Sequence, residues 1–158
     1  MRKIHLTTFI AAPYQRVFDL SRSIDLHKES MKKYREQAVS GIRFGLIEED
    51  EMVTWQARHL GKTRMMRVKV TEMKKYERFV DEQNEGNFKM MRHEHYFKPC
   101  DNGTIMIDIF EYDMPYGNLG KLIDSLFLFR YITRLLELRN QTIKEFAEGE
   151  QWKRLLLK

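Results

Sequence analysis

Five histidines occur in 158 residues, and two of them, His93 and His95, stand two apart in the run Met90-Met91-Arg92-His93-Glu94-His95-Tyr96-Phe97-Lys98. In an extended chain that spacing puts both rings on one face. Arg92, Glu94 and Lys98 belong in water, so Met91, His93, His95 and Phe97 take the covered side. The same alternation over residues 52–60 turns Trp55, Ala57 and His59 inward and Gln56 and Arg58 outward. Asp108, within an isoleucine-rich run at 104–113, is a carboxylate that such a face can add. Alternation leaves two choices there: Asp108 and Tyr112 face in, or Ile105, Ile107 and Ile109 do.

Three chemistries suit imidazoles and a carboxylate in an apolar pocket. Burial and mutual contact bring both kinds of group toward neutral pKa values, which serves proton transfer on a polyketide or similar carbonyl substrate. Two rings on one strand face, completed by a carboxylate, can instead hold a transition metal. In the third, the histidines orient the polar head of a ligand; beside all three stands a purely structural reading, in which they hydrogen-bond to Asp108 or Gln83 or one lies at the wet mouth of the cavity. The third is adopted, so no residue is assigned as catalytic or as a metal ligand, and no cofactor is expected.

The elements that must position these groups are built along a terminal helix. Pro115, Gly117 and Asn118 make a turn that ends the last strand, Asn118 can cap a helix, and neither proline nor glycine recurs between Gly120 and Gly149. Leu119, Leu122, Ile123, Leu126, Phe129, Ile132, Leu136, Ile143 and Phe146 recur at helical spacing, one broad face for burial. At about 1.5 Å per residue the helix is on the order of 45 Å long, so the rest of a small domain must wrap it.

Ahead of the helix the spacing predicts a strand at 3–10, a short helix entered at Pro13 and carrying Val17, Phe18 and Leu20, and a second one at 26–33 capped by Asp25. Six further strands follow at 38–47, 52–60, 64–73, 79–84, 88–98 and 104–113. Gly61-Lys62, Gly86-Asn87 and Asp101-Asn102-Gly103 mark hairpin turns between them. Connections this short make the sheet antiparallel, with the helix covering its apolar face. A curved sheet and a helix diverge away from their line of contact, and the space between is filled by large side chains or left as a ligand cavity.

Composition bounds the function. A net charge of +5 is spread in pairs such as Lys32-Lys33 and Lys74-Lys75 with acids nearby, not in a basic stripe with interleaved aromatics, so no nucleic-acid partner is expected. Cys100 is the only cysteine, which excludes an internal disulfide and a thiolate cluster. Glycine-rich phosphate loops and nucleophile elbows are missing. With no leader segment and a terminal helix interrupted by Lys121, Asp124, Arg130 and Arg134, a soluble cytoplasmic protein is expected.

The run Val53-Thr54-Trp55-Gln56-Ala57-Arg58-His59-Leu60-Gly61 resembles a strand motif of bacterial START-like proteins of the SRPBCC group. So do Ala12-Pro13 with Val17-Phe18, Phe79-Val80-Asp81-Glu82-Gln83 with Gly86 and Phe88, and His93-Glu94-His95-Tyr96-Phe97. The likeness continues through Gly103-Thr104, Asp108, Pro115-Tyr116-Gly117 and Leu135-Leu136-Glu137-Leu138-Arg139-Asn140, nearly the whole chain. The resemblance implies an α+β helix-grip fold, a curved seven-stranded antiparallel sheet around a long C-terminal helix, with two short helices after the first strand and a cavity between sheet and helix. Matching the last strand to the family's puts Asp108 and Tyr112 inside. Members of that group include lipid-transfer proteins, plant hormone and allergen-type binders, coenzyme-Q-binding proteins and aromatic polyketide cyclases, so fold alone does not select a function.

The expectation is one ligand-binding domain over 1–148, with a basic and apolar tail at 149–158 that either makes transient contact with a membrane or a partner or folds back on its own domain. Its ligand is a hydrophobic small molecule, lipid-, quinone- or polyketide-like, held as by a carrier or sensor. The alternative is a cyclase or dehydratase using His and Asp acid–base groups. Trp55, Met66, Phe79, Met91, Phe97, Phe110 and Tyr112 supply walls, while His59, His93, His95 and Asp108 orient the polar head. The stretch Leu119 to Phe127, with Leu119, Leu122 and Ile123 as ligand contacts and Gly117 and Gly120 at the helix start, helps form a gate. The chain is expected as a monomer or as a homodimer joined through the outward isoleucines.

Overall fold

The structure is a computed structural model that describes residues 1–157. Strand β1 (Arg2–Ile10) is followed by helices α1 (Tyr14–Ser21) and α2 (Ile24–Ser30) and a short 3-10 turn, Lys32–Tyr34. Then come β2 (Gln37–Gly41), β3 (Met52–His59), β4 (Lys62–Lys74), β5 (Arg78–Glu85), β6 (Met90–Cys100) and β7 (Gly103–Asp113). The chain ends in α3 (Gly117–Ile123), a π-helical turn (Asp124–Leu128), α4 (Phe129–Glu148) and α5 (Gln151–Leu156). All seven strands form one antiparallel sheet in the order β1-β7-β6-β5-β4-β3-β2, with α4 across its inner face. This is the helix-grip architecture.

Three local expectations are corrected. The second strand is only Gln37–Gly41, because Gly41 and Gly45 take positive φ values (73° and 78°) and turn the chain out of the sheet. Helix α2 is capped by Ser23, whose side chain accepts from the Leu26 amide. Asp25 sits inside that helix and accepts from the Gly45 amide at 2.9 Å, tying the loop after β2 to it. Asn118 does not cap α3, which begins one residue earlier behind Tyr116 in a left-handed conformation.

The π turn also re-phases the terminal helix. Extrapolated backward at about 100° per residue, the α-helical stripe of Ile132, Leu136 and Ile143 runs through Ser125 and Lys121, with Leu122 on its flank. One residue inserted by the wider turn brings Gly120 and Asp124 inward instead, and leaves Leu119, Leu122 and Leu126 at 62%, 54% and 67% exposure. Asp124 is held there by the Tyr112 hydroxyl and by Arg2.

The interior has two halves. In one, Phe18 meets Tyr76, Phe79 and Phe97 edge to face and packs with Met106, Ile143 and Phe146, a close-packed core. Helix α5 lies on this half: Trp152, Leu155 and Leu156 pack against it, and the Arg16 guanidinium stacks on the Trp152 ring at 3.9 Å. The other half, with Ile24, Val53, Trp55, Val68, Met91 and Phe110 on its walls, is open. No helix among the described residues is long and apolar enough to cross a membrane.

Candidate functional site

Between the sheet and the terminal helix lies a cavity of about 710 Å³. Trp55, Ala57, Met66, Val68, Val70, Met91 and Phe110 line it from the sheet, and Ile123, Phe127, Leu128, Tyr131, Ile132 and Leu136 from the helix. The π turn is thus the stretch of helix that roofs it.

A polar cluster sits where the open half meets the close-packed one. Strand register builds it. Asp81 on β5 is paired with His93 on β6, and His95 on β6 with Asp108 on β7. The side-chain bonds run on the diagonals: His93 Nε2 lies 2.9 Å from Asp108 Oδ1, and His95 Nε2 2.6 Å from Asp81 Oδ2. The two imidazoles overlap at 3.7 Å between centroids, and Phe79 stacks on His95 at 4.1 Å.

Helix α4 closes the cluster from above. Arg139 and Asn140 fall in its buried stripe, three and four residues after Leu136. Asn140 Nδ2 donates to Asp108 Oδ2 at 2.6 Å, and Arg139 Nη1 to Oδ1 at 3.3 Å. Arg139 Nη2 donates to the Ser21 carbonyl at the end of α1 (3.2 Å) and reaches His95 Nδ1 at 3.4 Å. Asp108, 1% exposed, is therefore not part of the cavity wall; it stands behind the histidines and fixes them.

Burial, and then the neighbouring His95, push the His93 imidazole down to about 4, so it is neutral at pH 7. Burial alone would raise the Asp108 carboxyl, but bonds from His93 and His95 and the Arg139 charge hold it well below the usual carboxylate range. Asp81 is likewise lowered against its burial by the bond to His95.

His59 does not join this cluster. It lies toward the mouth, stacked on Tyr34 with Nδ1 2.8 Å from the Tyr131 hydroxyl. Burial lowers the His59 imidazole, and burial with the nearby Tyr34 pushes the Tyr131 phenol up to about 12. His27 pairs with Glu36 at 3.2 Å and lies over Trp55, so a second polar group lines the same mouth.

Of the residues expected at the site, Trp55, His59, Met66, Phe79, Met91, His93, His95, Phe110 and Ile123 line the cavity. Phe97 belongs to the close-packed half. Tyr112 is fully buried with its hydroxyl on Asp124, and burial followed by that bond raises its phenol. Leu119 and Leu122 face solvent, Leu122 because the π turn moves it off the flank of the buried stripe. Asp81 and Arg139, both on the cavity wall, are the polar residues that sequence reasoning passed over. Asp81 had a signal, since it is two residues from inward Phe79; Arg139 and Asn140 had one in interrupting the apolar stripe of a helix.

No family model and no curated protein matches the sequence. Solved structures do match the fold. A protein of Thermus thermophilus superposes with a TM-score of 0.70 at 18% identity, over 90% of this chain and 97% of that one. The major latex-like protein 151 of Panax ginseng gives 0.69 at 10% identity, over 94% and 98%. The di-domain ARO/CYC protein StfQ of the steffimycin biosynthetic pathway gives 0.72 at 12% identity, over 92% of this chain and 50% of that one. At such identities the shared property is the helix-grip fold.

Proposed function

We propose that the protein binds a hydrophobic small molecule with a polar head, lipid-, quinone- or polyketide-like, between sheet and terminal helix, and serves as its carrier or sensor. The observation that carries the reading is the cavity of about 710 Å³, inside the ~300–1,000 Å³ range of small-molecule sites. The same sequence close-packs its other half around Phe18, so the opening is no unavoidable consequence of the fold. Apolar walls solvate the ligand's body, and polar groups confined to the inner end and the mouth orient its head. Ile123 and Phe127, on the re-phased helix, form the gate in this reading.

A second reading, a cyclase or dehydratase, has one observation in its favour. His93 is neutral, has its Nε2 held by Asp108 and borders the cavity, as a general base must. StfQ, described as an ARO/CYC protein, has the same fold.

Native mass spectrometry of the protein as isolated, beside a denatured sample and a solvent extract, is the test. A lipid- or quinone-sized adduct is expected. Solvent-extracted protein should also bind 1-anilinonaphthalene-8-sulfonate at one site, and Ala57→Trp, which fills the cavity from β3, should abolish that binding. Absence of both adduct and saturable probe binding would overturn the reading. Turnover of a poly-β-ketone substrate that disappears in His93→Gln while probe affinity stays would select the enzyme instead.

A further inference from the structure

The cluster at the inner end of the cavity holds more donor capacity than a ligand head requires. Asp81, His93 and His95 each offer one ligand atom, and the three lie within 4.8 Å of one another. His93 is 5% exposed; its Nε2 is on Asp108, and its Nδ1 has no protein partner. All three residues border the cavity.

We propose that Asp81, His93 and His95 form a binding site for one divalent first-row transition-metal ion of the zinc or ferrous class, with its remaining coordination positions open to the cavity. Two imidazoles and one carboxylate are the donor set that such ions take when positions are left for water or substrate. The residues behind the donors are arranged to support it. Asp108 accepts from His93 Nε2, which directs the ring's other nitrogen to a metal, and its Oδ1 also lies 3.1 Å from His95 Nδ1. When His95 Nε2 gives up its proton to the ion's place, Asp108 is in position to keep one on Nδ1. Asn140 and Arg139 anchor that carboxylate in turn.

Charge agrees with the donor set. Two carboxylates, Asp81 and Asp108, face a single guanidinium, Arg139, so a dication meets negative charge already buried. The His95–Asp81 separation of 2.6 Å is that of a hydrogen bond. Metal–ligand bonds of about 2.0–2.1 Å in a tetrahedron need those atoms about 3.4 Å apart. Asp81, with a side chain 19% exposed, is the member able to make that shift. The site shares the cavity with the hydrophobic ligand and does not depend on it.

The full chain, stripped with EDTA and free of organic ligand, should take up one equivalent of Co²⁺ with visible d–d absorption, displaced by Zn²⁺. Asp81→Asn and His95→Gln should each weaken binding by about 100-fold or more. Cys100→Ser and His5→Gln, exposed and outside the cavity, should leave it unchanged. Should the buried variant fail to fold, paramagnetic broadening in the wild-type protein decides: the ring signals of His93 and His95 must broaden before those of His5, His27 and His59. No stoichiometric uptake, uptake that survives Asp81→Asn, or broadening first at another histidine would overturn the proposal. Retained 1-anilinonaphthalene-8-sulfonate binding in the same sample would show that the ligand-binding reading had not failed with it.

Discussion

Replacing Asp108 by asparagine removes one charge and almost no volume, yet it should cost this domain a large part of its stability. The carboxylate is 1% exposed and its two oxygens collect Asn140 at 2.6 Å, His93 at 2.9 Å and Arg139 at 3.3 Å. An amide has one accepting oxygen for these donors and must turn its NH₂ group toward the others. Arg139, 5% exposed, is then left without a carboxylate partner, with the Ser21 carbonyl, the Asn140 amide oxygen and His95 Nδ1 as its remaining neutral partners. Stranding one member of a buried pair costs about 3–5 kcal/mol. Against a total of about 5–15 kcal/mol for a folded domain, about a fifth of the stability or more goes. In urea, with a slope of about 2 kcal/mol/M, chelator-treated Asp108→Asn should unfold about 2 M earlier with the slope unchanged. Adding Arg139→Met removes the stranded charge and should recover about 2 kcal/mol of the loss. A loss below about 1 kcal/mol would refute the assignment of Asp108 as the hub, and so would a double variant whose cost is the sum of the single ones.

Two comparisons probe the frame around the cavity. Gly41 and Gly45 both have positive φ, but a Cβ at Gly41 would lie 2.1 Å from the Met52 carbonyl oxygen whereas one at Gly45 meets nothing within 4 Å. Gly45→Ala should cost about 1–2 kcal/mol for the backbone conformation alone, and Gly41→Ala about 1–3 kcal/mol more for the collision with β3; equal losses in urea unfolding would contradict that division. At the mouth, burial holds the folded-state His59 imidazole below its ordinary 6.5. Since the unfolded chain then binds the proton more readily, His59 contributes stability that is complete above pH 6.5 and is lost as pH falls. Its Cε1 proton, followed by NMR, should titrate with a midpoint below 6.5, and a midpoint at or above that value would show the ring to be solvated or paired with acid.

The strands that carry the site were legible because they alternate. Residues 90–98 separate Arg92, Glu94 and Lys98 from Met91, His93, His95 and Phe97, and the buried and half-buried positions of β6 follow that division. On β7, Asp108 and Tyr112 do face in, with Ile105, Ile107 and Ile109 half-buried on the outer side. What alternation cannot supply is register, the pairing that sets which inward groups meet. Asp81 opposite His93 and His95 opposite Asp108 depend on where the hairpins turn and on the bulges between β4 and β5. Sequence reasoning therefore gathered His59 with His93 and His95, although β3 carries it to the other end of the cavity, and left out Asp81, whose neighbour Glu82 makes the pair read as surface.

The helix tells the same story in another geometry. Counted at about 100° per residue, Leu119, Leu122 and Leu126 lie about 60–120° off the line of Ile132, Leu136 and Ile143, a drift that a list of roughly three- and four-residue steps conceals, and a π turn carries no periodic signature of its own. Its cause lies in a single polar residue. In an uninterrupted α-helix Lys121 and Ser125 would take the inner positions; instead the Tyr112 hydroxyl and Arg2 hold the Asp124 carboxylate inside, and the added residue puts Gly120 and Asp124 there and turns Leu122 from the flank outward. That exchange is what keeps the roof over the open half from closing. Without the added residue Lys121 and Leu122 would lie at or beside the inner position and fill space beneath the helix, whereas Gly120 there adds no side chain to it, so the volume available to a ligand is set as much by the phase of the helix as by the residues that line the sheet.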